Sequence, residues 1–194
     1  MPGLKLITAP TVEPVTASEI LTKIGVNSGD VSTTDLEALI TGARQWAEEY
    51  TGRALINQTW ELALDDLCES GIDLAKGTVQ SITSIKYLDA DGVEQTLAST
   101  EYLLDDYAVI ARIVPAYGKT WPATRSIVNA VKVRYVAGYG AAATAVPVPV
   151  KNAIVLIVGQ ALRGQPGLET SLYPASIPNA AKEMLNPYRV MKAV

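Results

Sequence analysis

Hydrophobic spacing switches period twice along this chain, and the two switches constrain its fold more than any single motif. Up to Arg53 the apolar residues recur three and four apart, as on one face of a helix. Over residues 58–139 they mostly alternate with period two, as on one face of a strand. From about Val150 helical spacing returns. Helices at both ends and antiparallel strands between them define an α+β chain of 194 residues. Hydrophobic residues make up 48% and charged residues 19%, enough apolar surface for a packed core.

Local signals place the elements. Residues 1–15 carry Pro2, Pro10 and Pro14 around Leu4, Leu6 and Ile7, which predicts an extended arm that either lies on its own domain or reaches a neighbouring subunit. Thr16-Ala17-Ser18-Glu19 is a capping box that opens a helix from about Ala17 to Ile24, stopped by Gly25. After a polar loop over 27–32, a second helix starts near Thr33 or Thr34. Its apolar face runs through Leu36, Leu39, Ile40, Ala43, Trp46, Ala47 and Tyr50, and Gly52 ends it. Strands are predicted over 59–65, 81–88, 102–104, 108–114 and 130–136, with a hairpin turn at Asp89-Ala90-Asp91-Gly92 returning through 93–97. In 130–136, Val131, Val133 and Tyr135 share one face and Lys132 and Arg134 the other. A third helix over about 150–162 is apolar almost all round, so it requires cover on every side, from the β-region or from another subunit. An irregular loop over 164–177 follows. Pro178 opens a last helix through Leu185, Asn186-Pro187 breaks it, and a tail runs from Tyr188 to Val194. The implied segments are 1–57 (arm and two helices), 58–140 (β-rich) and 141–194 (third helix, loop, last helix and tail).

The inventory of reactive groups is thin. There is no histidine, which removes Ser-His-Asp and Cys-His activation, the usual zinc ligand sets and the commonest general base near neutral pH. Cys68 stands alone, so no internal disulfide is possible, and Glu69 beside it is no activating cation. The pairs Glu48-Glu49, Asp65-Asp66 and Asp105-Asp106 point in different directions and read as solvated surface. A carboxylate hydrolase remains a remote class. Asp89-x-Asp91-Gly92 fits a tight turn better than a calcium loop, since its flanks are strands. Gly138-Tyr139-Gly140 and Gly164-x-x-Gly167 lack the strand–loop–helix context of a phosphate loop. No cofactor or metal site is expected, no signal peptide is visible, and the apolar helix near 153–159 is too short to span a bilayer.

Contact, rather than chemistry, is what residues 111–140 suggest. They hold Arg112, Tyr117, Lys119, Trp121, Arg125, Arg134, Tyr135 and Tyr139 among turn-forming Gly and Pro, with no carboxylate, histidine or cysteine. Tyr, Trp and Arg dominate contact energetics because they bury much area at low entropic cost. For any one of Trp121, Tyr135 and Tyr139 taken alone, the core of a β-domain is the favoured place. A second use for Tyr117, Lys119, Trp121 and Arg125 is stacking bases and touching phosphates, as in a single-stranded nucleic-acid-binding module spanning Arg112 to Arg125. The net charge of −4 and the lack of a second basic patch weigh against it.

An ordered set of short motifs carries a family resemblance. It comprises Leu4-Lys5-Leu6-Ile7-Thr8, Pro14-Val15-Thr16, Gly52-Arg53-Ala54-Leu55-Ile56-Asn57-Gln58-Thr59-Trp60-Glu61-Leu62, Arg112-Ile113-Val114-Pro115-Ala116-Tyr117-Gly118-Lys119-Thr120-Trp121-Pro122, Val133-Arg134-Tyr135-Val136-Ala137-Gly138-Tyr139-Gly140, Val146-Pro147 before Val150-Lys151-Asn152-Ala153-Ile154, and Asn186-Pro187-Tyr188-Arg189-Val190. Together they resemble the head–tail connector (adaptor, or head-completion) proteins of long-tailed bacteriophages, prophages and gene-transfer agents. The resemblance implies a small helical bundle of about four helices with the β-rich segment inserted between the second and third. It implies no catalytic residues. It also implies a ring, commonly of twelve subunits, at the virion neck. That ring contacts the portal at the capsid vertex and the next neck or tail-completion protein, and extends a channel that DNA crosses without sequence-specific binding. Assembly would take place in the host bacterial cytoplasm. On this resemblance Tyr188, Arg189, Val190 and Val194 are expected to contact the portal, and Arg112, Tyr117, Lys119, Trp121 and Arg134 a neighbouring subunit or the tail side.

Overall fold

The structure, a computed structural model, describes residues 3–29, 31–163 and 177–190. The expectations for Met1, Pro2, Asp30, the loop over 164–176 and the tail from 191 to Val194 fall outside those residues. The chain divides into two compact units. One joins the chain up to Pro10 to Asn57–Tyr139, and the other joins Thr11–Ile56 to the chain from Gly140 onward.

Period two builds the first unit. Strands β1 (Gly3–Thr8), β2 (Gln58–Leu64), β4 (Val79–Leu88), β5 (Glu94–Thr96) and β8 (Val131–Ala137) form one antiparallel sheet in the order β1-β2-β8-β4-β5. A smaller sheet has the order β3-β7-β6, from β3 (Ile72–Asp73), β6 (Tyr102–Asp105) and β7 (Arg112–Pro115). The register sets Leu62, Val133 and Ile85 side by side across β2, β8 and β4, and all three are buried. A register slip of one residue would turn this row into solvent, which is why the alternation fixes the pairing. The other face shows Glu61 opposite Arg134. Asp89 closes the β4–β5 turn, its Oδ1 accepting the N–H groups of Asp91 (3.1 Å) and Val93 (2.9 Å).

Three expectations change here. The N-terminal arm is strand β1, paired along β2 of its own chain, so it groups with the strands rather than with helices one and two. It contributes an outermost strand with all six residues exposed. The strand expected over 108–114 begins only at Arg112. The reason lies in the reversal before it: Asp105 pairs with Arg112, and the Asp105 carboxylate takes the Tyr107 N–H (3.3 Å), an Asx turn that ends pairing. Glu48, expected on the surface, is buried.

The second unit is helical: α1 (Ala17–Ile24), α2 (Thr33–Thr51), α3 (Val148–Arg163) and α4 (Asn179–Leu185). The capping box forms as the sequence predicts. Glu19 N–H donates to Thr16 Oγ1 (3.2 Å), and Thr16 N–H donates to Glu19 Oε2 (2.9 Å). Gly25 and Gly52 take the left-handed conformation that stops α1 and α2. Helix α3 is the centre of the bundle. Ala153, Ile154, Val158 and Ala161 are buried, and α1, α2 and α4 pack on it. Much of its cover comes from helices of its own unit rather than from the β-region, while Val148 and Leu156 stay exposed. A Cβ on Gly159 would stand 3.2 Å from Ile24 Cγ2, so the glycine permits the close approach of α1.

Glu48 is buried because it is paired. The guanidinium of Arg44 donates from Nη1 to Glu48 (2.7 Å) and from Nε to Glu13 (2.8 Å). Thr41 donates to the second oxygen of Glu13, and the Leu55 N–H to the second oxygen of Glu48. One cation thus ties the segment before α1 and the turn after α2 to the middle of α2. Desolvating these charges is tolerable only because each has hydrogen-bonding partners.

Candidate functional site

Two groups of residues were expected to make contacts, and they differ in how well the fold assembles them. The first lies at the C-terminal end of α2. Helix ends leave carbonyls without partners, and here one is met from far along the chain: the Val190 N–H donates to the Thr51 carbonyl (2.8 Å). Arg53 Nε donates to the Tyr188 carbonyl (2.7 Å), and the Tyr50 hydroxyl donates to Asn186 Oδ1 (2.7 Å). Trp46 and Tyr50, one turn apart, stack with centroids 5.0 Å apart and planes at 16°. The Arg189 guanidinium lies over the outer part of this stack, 4.9 Å from the Tyr50 ring centroid. Its positive charge also stands by the negative end of the α2 dipole, where the last turn has no basic residue of its own.

Tyr188, Arg189 and Val190 are thus brought together and seated on α2; Val194 lies outside the described residues. The seat itself, Tyr50 and Arg53, was missed as a functional element. The Trp46–Tyr50 spacing was legible as a helical neighbour pair. Nothing in the local pattern linked it to residues 186–190.

The second group is scattered. Arg112 stands in register between Asp73 on β3 and Asp105 on β6. Lys119 Nζ is bonded to Glu101 (2.9 Å). Trp121 is half-buried and its Nε1–H donates to the Cys68 carbonyl (2.8 Å), fastening the 119–124 loop to the 66–70 loop. Thr124 bonds Asp66 in the same place. Arg134 lies on the larger sheet instead, bound to Glu61 (2.6 Å). Tyr135, from the same block, is core: it is fully buried, its hydroxyl donates to the Ala75 carbonyl (3.1 Å), and burial pushes its pKa up. Only Tyr117 is wholly exposed. Acids therefore stand against Arg112, Lys119 and Arg134, and the aromatics between them do not form a stacking platform.

Among the described residues no three His, Cys, Asp or Glu side chains gather to hold a metal, and no helix is long and apolar enough to cross a membrane. Asp65 accepts the Asn129 N–H, so this acid fastens a loop rather than facing another carboxylate. Cys68 is exposed, and a hydrogen bond with Ser70 (3.0 Å) lowers its thiol pKa, against the opposing fields of Asp66 and Glu69.

Comparison of the whole fold with solved structures gives close matches. The chain is similar to a subunit in the neck of an empty gene transfer agent particle computed with C6 symmetry, with TM-score 0.79 and 20% identity, covering 99% of this chain and 97% of that one. It is similar to a chain in the virion of a native gene transfer agent particle, with TM-score 0.77 and 23% identity over 98% and 97%. It is also similar to a subunit in the neck of a native particle computed with C12 symmetry, with TM-score 0.70 and 21% identity over 99% and 97%. No protein-family model matches the chain, and no curated protein does. The α+β fold, helices and both sheets included, is the fold of those particle subunits.

Proposed function

We propose that this chain is a structural, non-enzymatic subunit of the neck of a phage-like particle. In this reading it forms a ring between the portal at the capsid vertex and the next neck or tail-completion protein, and the ring extends the DNA channel. The observation that carries the proposal is the likeness in fold, over 98–99% of this chain, to gene transfer agent particle chains, two of them in necks computed with C6 and C12 symmetry. Likeness over one unit alone would carry far less, since a small bundle or a small sheet recurs in many settings.

Two features of the chain support it. Arg44, Lys86, Lys119 and Arg134 are paired with acids, and the net charge is −4. A channel wall that must let DNA slide has to avoid rows of free Lys and Arg, because each phosphate contact adds affinity through counterion release. The contact candidates also divide between the units. Tyr188, Arg189, Val190 and Val194 are proposed to meet the portal, and Arg112, Tyr117, Lys119, Trp121 and Arg134 a neighbouring subunit or the tail side.

The test is direct. The purified protein is incubated with the portal of its own particle and imaged by electron microscopy. A ring of added density on one face of the portal is expected. Absence of any complex across salt and protein concentrations would sink the proposal. Filter binding separates the nucleic-acid-binding alternative, which requires tight, salt-sensitive binding of single-stranded DNA by the isolated protein.

A further inference from the structure

Arg189 differs from three other cations of the helical unit. Arg44 is consumed by Glu13 and Glu48, Arg53 is bonded to a carbonyl, and Lys23 is bonded to Asn152. Arg189 is exposed, has no carboxylate partner among the described residues, and lies 4.9 Å from the Tyr50 ring centroid. The ring of Tyr50 supports one face of its guanidinium. Trp46 stacks with Tyr50, Asn186 fixes the Tyr50 hydroxyl, and the Val190–Thr51 bond fixes the backbone one residue on.

An exposed arginine ordinarily loses rotamer freedom when it binds, at a cost of up to about 2 kcal/mol. A stacked guanidinium has lost part of that freedom before any partner arrives, which is how preorganisation raises affinity. Stacking uses the flat face and leaves the N–H edge open. That edge is a planar fork that fits a carboxylate with two parallel hydrogen bonds.

We propose that the Trp46–Tyr50–Arg189 stack is a preformed anchor that receives a carboxylate from the protein next to this one in the assembly. Resting on the reading above, that protein is the portal. The favoured ligand is a carboxylate rather than a DNA phosphate. Backbone binding of DNA draws on several cations along a track, which a chain of net charge −4 disfavours. Tyr50 is a positioning residue in this scheme and Arg189 the contacting one.

The experiment measures equilibrium binding of full-length protein to purified portal rings for the wild type, Arg189→Ala, Arg189→Lys, Tyr50→Leu and the Tyr50→Leu/Arg189→Ala double variant. Tyr50→Phe is included because it keeps the stack if the leucine variant folds poorly. The expected results are at least tenfold weaker binding for Arg189→Ala and a clear loss for Arg189→Lys, which keeps the charge but not the fork. Tyr50→Leu should weaken binding alone and add nothing in the Arg189→Ala background, while Tyr50→Phe stays within about threefold of wild type. Wild-type binding by Arg189→Ala would overturn the inference and leave the neck reading standing. Additive losses in the double variant would overturn the positioning role of Tyr50. Binding of duplex DNA by the isolated protein that disappears in Arg189→Ala would replace the carboxylate by a phosphate and overturn the assignment. A complete lack of portal complex with wild-type protein would fail the neck reading and this inference together.

Discussion

The helical unit and the β-unit bury their apolar residues to different degrees. The helical unit closes around α3 from three sides with its own helices and pulls an arginine and a glutamate into its interior. The β-unit has a buried row through Leu62, Val133 and Ile85, yet leaves Leu103, Tyr107, Val109, Tyr117 and Val128 more than half exposed. It also ends in β1, an outermost strand with Leu4, Leu6 and Ile7 each at least a third exposed. Exposed strand edges and large apolar side chains are liabilities in a free monomer unless something covers them. The difference lies in where apolar surface stays open: the β-unit leaves more large apolar side chains over half exposed than the helical unit, where Val148 does so.

The largest expected effect tests the first half of that comparison. Arg44→Ala leaves Glu13 and Glu48 without their cation, and Glu48 is buried. Removing one partner of a buried pair costs about 3–5 kcal/mol. The matching break in the β-unit is Arg134→Ala, where the side chain is 42% exposed and its pair with Glu61 should be worth about 0–1 kcal/mol. Urea denaturation of the two variants measures the gap. Equal destabilisation would erase the contrast between a unit stabilised by internal charge and one whose charges sit at the surface.

A smaller effect lies at the start of α1. Thr16→Ala removes one half of the capping box and should cost about 1 kcal/mol. Its acid behaviour has a definite sign. The Glu19 carboxylate accepts the Thr16 N–H, which lowers its folded pKa. The stabilisation is therefore fully present above the unfolded pKa of about 4.3 and is lost as pH falls through the folded value. Wild type should lose stability faster than Glu19→Gln between about pH 5 and pH 3. Parallel acid profiles for the two proteins would show that the box contributes nothing through its charge.

How far the sequence revealed this contrast depends on the range of the forces involved. Caps, hairpin turn and helix faces were legible because they are local: Thr16 and Glu19 are three apart, and Asp89 and Gly92 close one turn. The face of β8 was legible because Val131, Val133 and Tyr135 alternate with Lys132 and Arg134. What was not legible was long range. Glu48 looked like surface because Glu49 follows it; its burial depends on Arg44 and on Glu13, far back in the chain. The seat for residues 188–190 on α2 joins positions more than a hundred residues apart, and no periodicity encodes that pairing. The block over 111–140 reads as contact residues or β-core without dividing the two, and its strands go to two sheets. Tyr135 goes to the core, Trp121 to a loop clasp, and Tyr117 to open solvent.

The smallest effect on stability tests the second half of the comparison. Tyr107 and Tyr117 are 99% and 101% exposed, so the fold buries none of their ring surface. The hydrophobic contribution of a side chain scales with the area it removes from water, and here that area is close to nil. Tyr107→Ser and Tyr117→Ser should each change the unfolding free energy by less than about 0.5 kcal/mol, as surface substitutions do. By the same logic Tyr135→Phe, which loses only the bond to Ala75, should cost about 0.5–1.5 kcal/mol although the change is chemically smaller. Should Tyr117→Ser prove more costly than Tyr135→Phe, the exposed tyrosines would have an intrachain role, and the greater exposure of the β-unit would not mark side chains left out of its own stability.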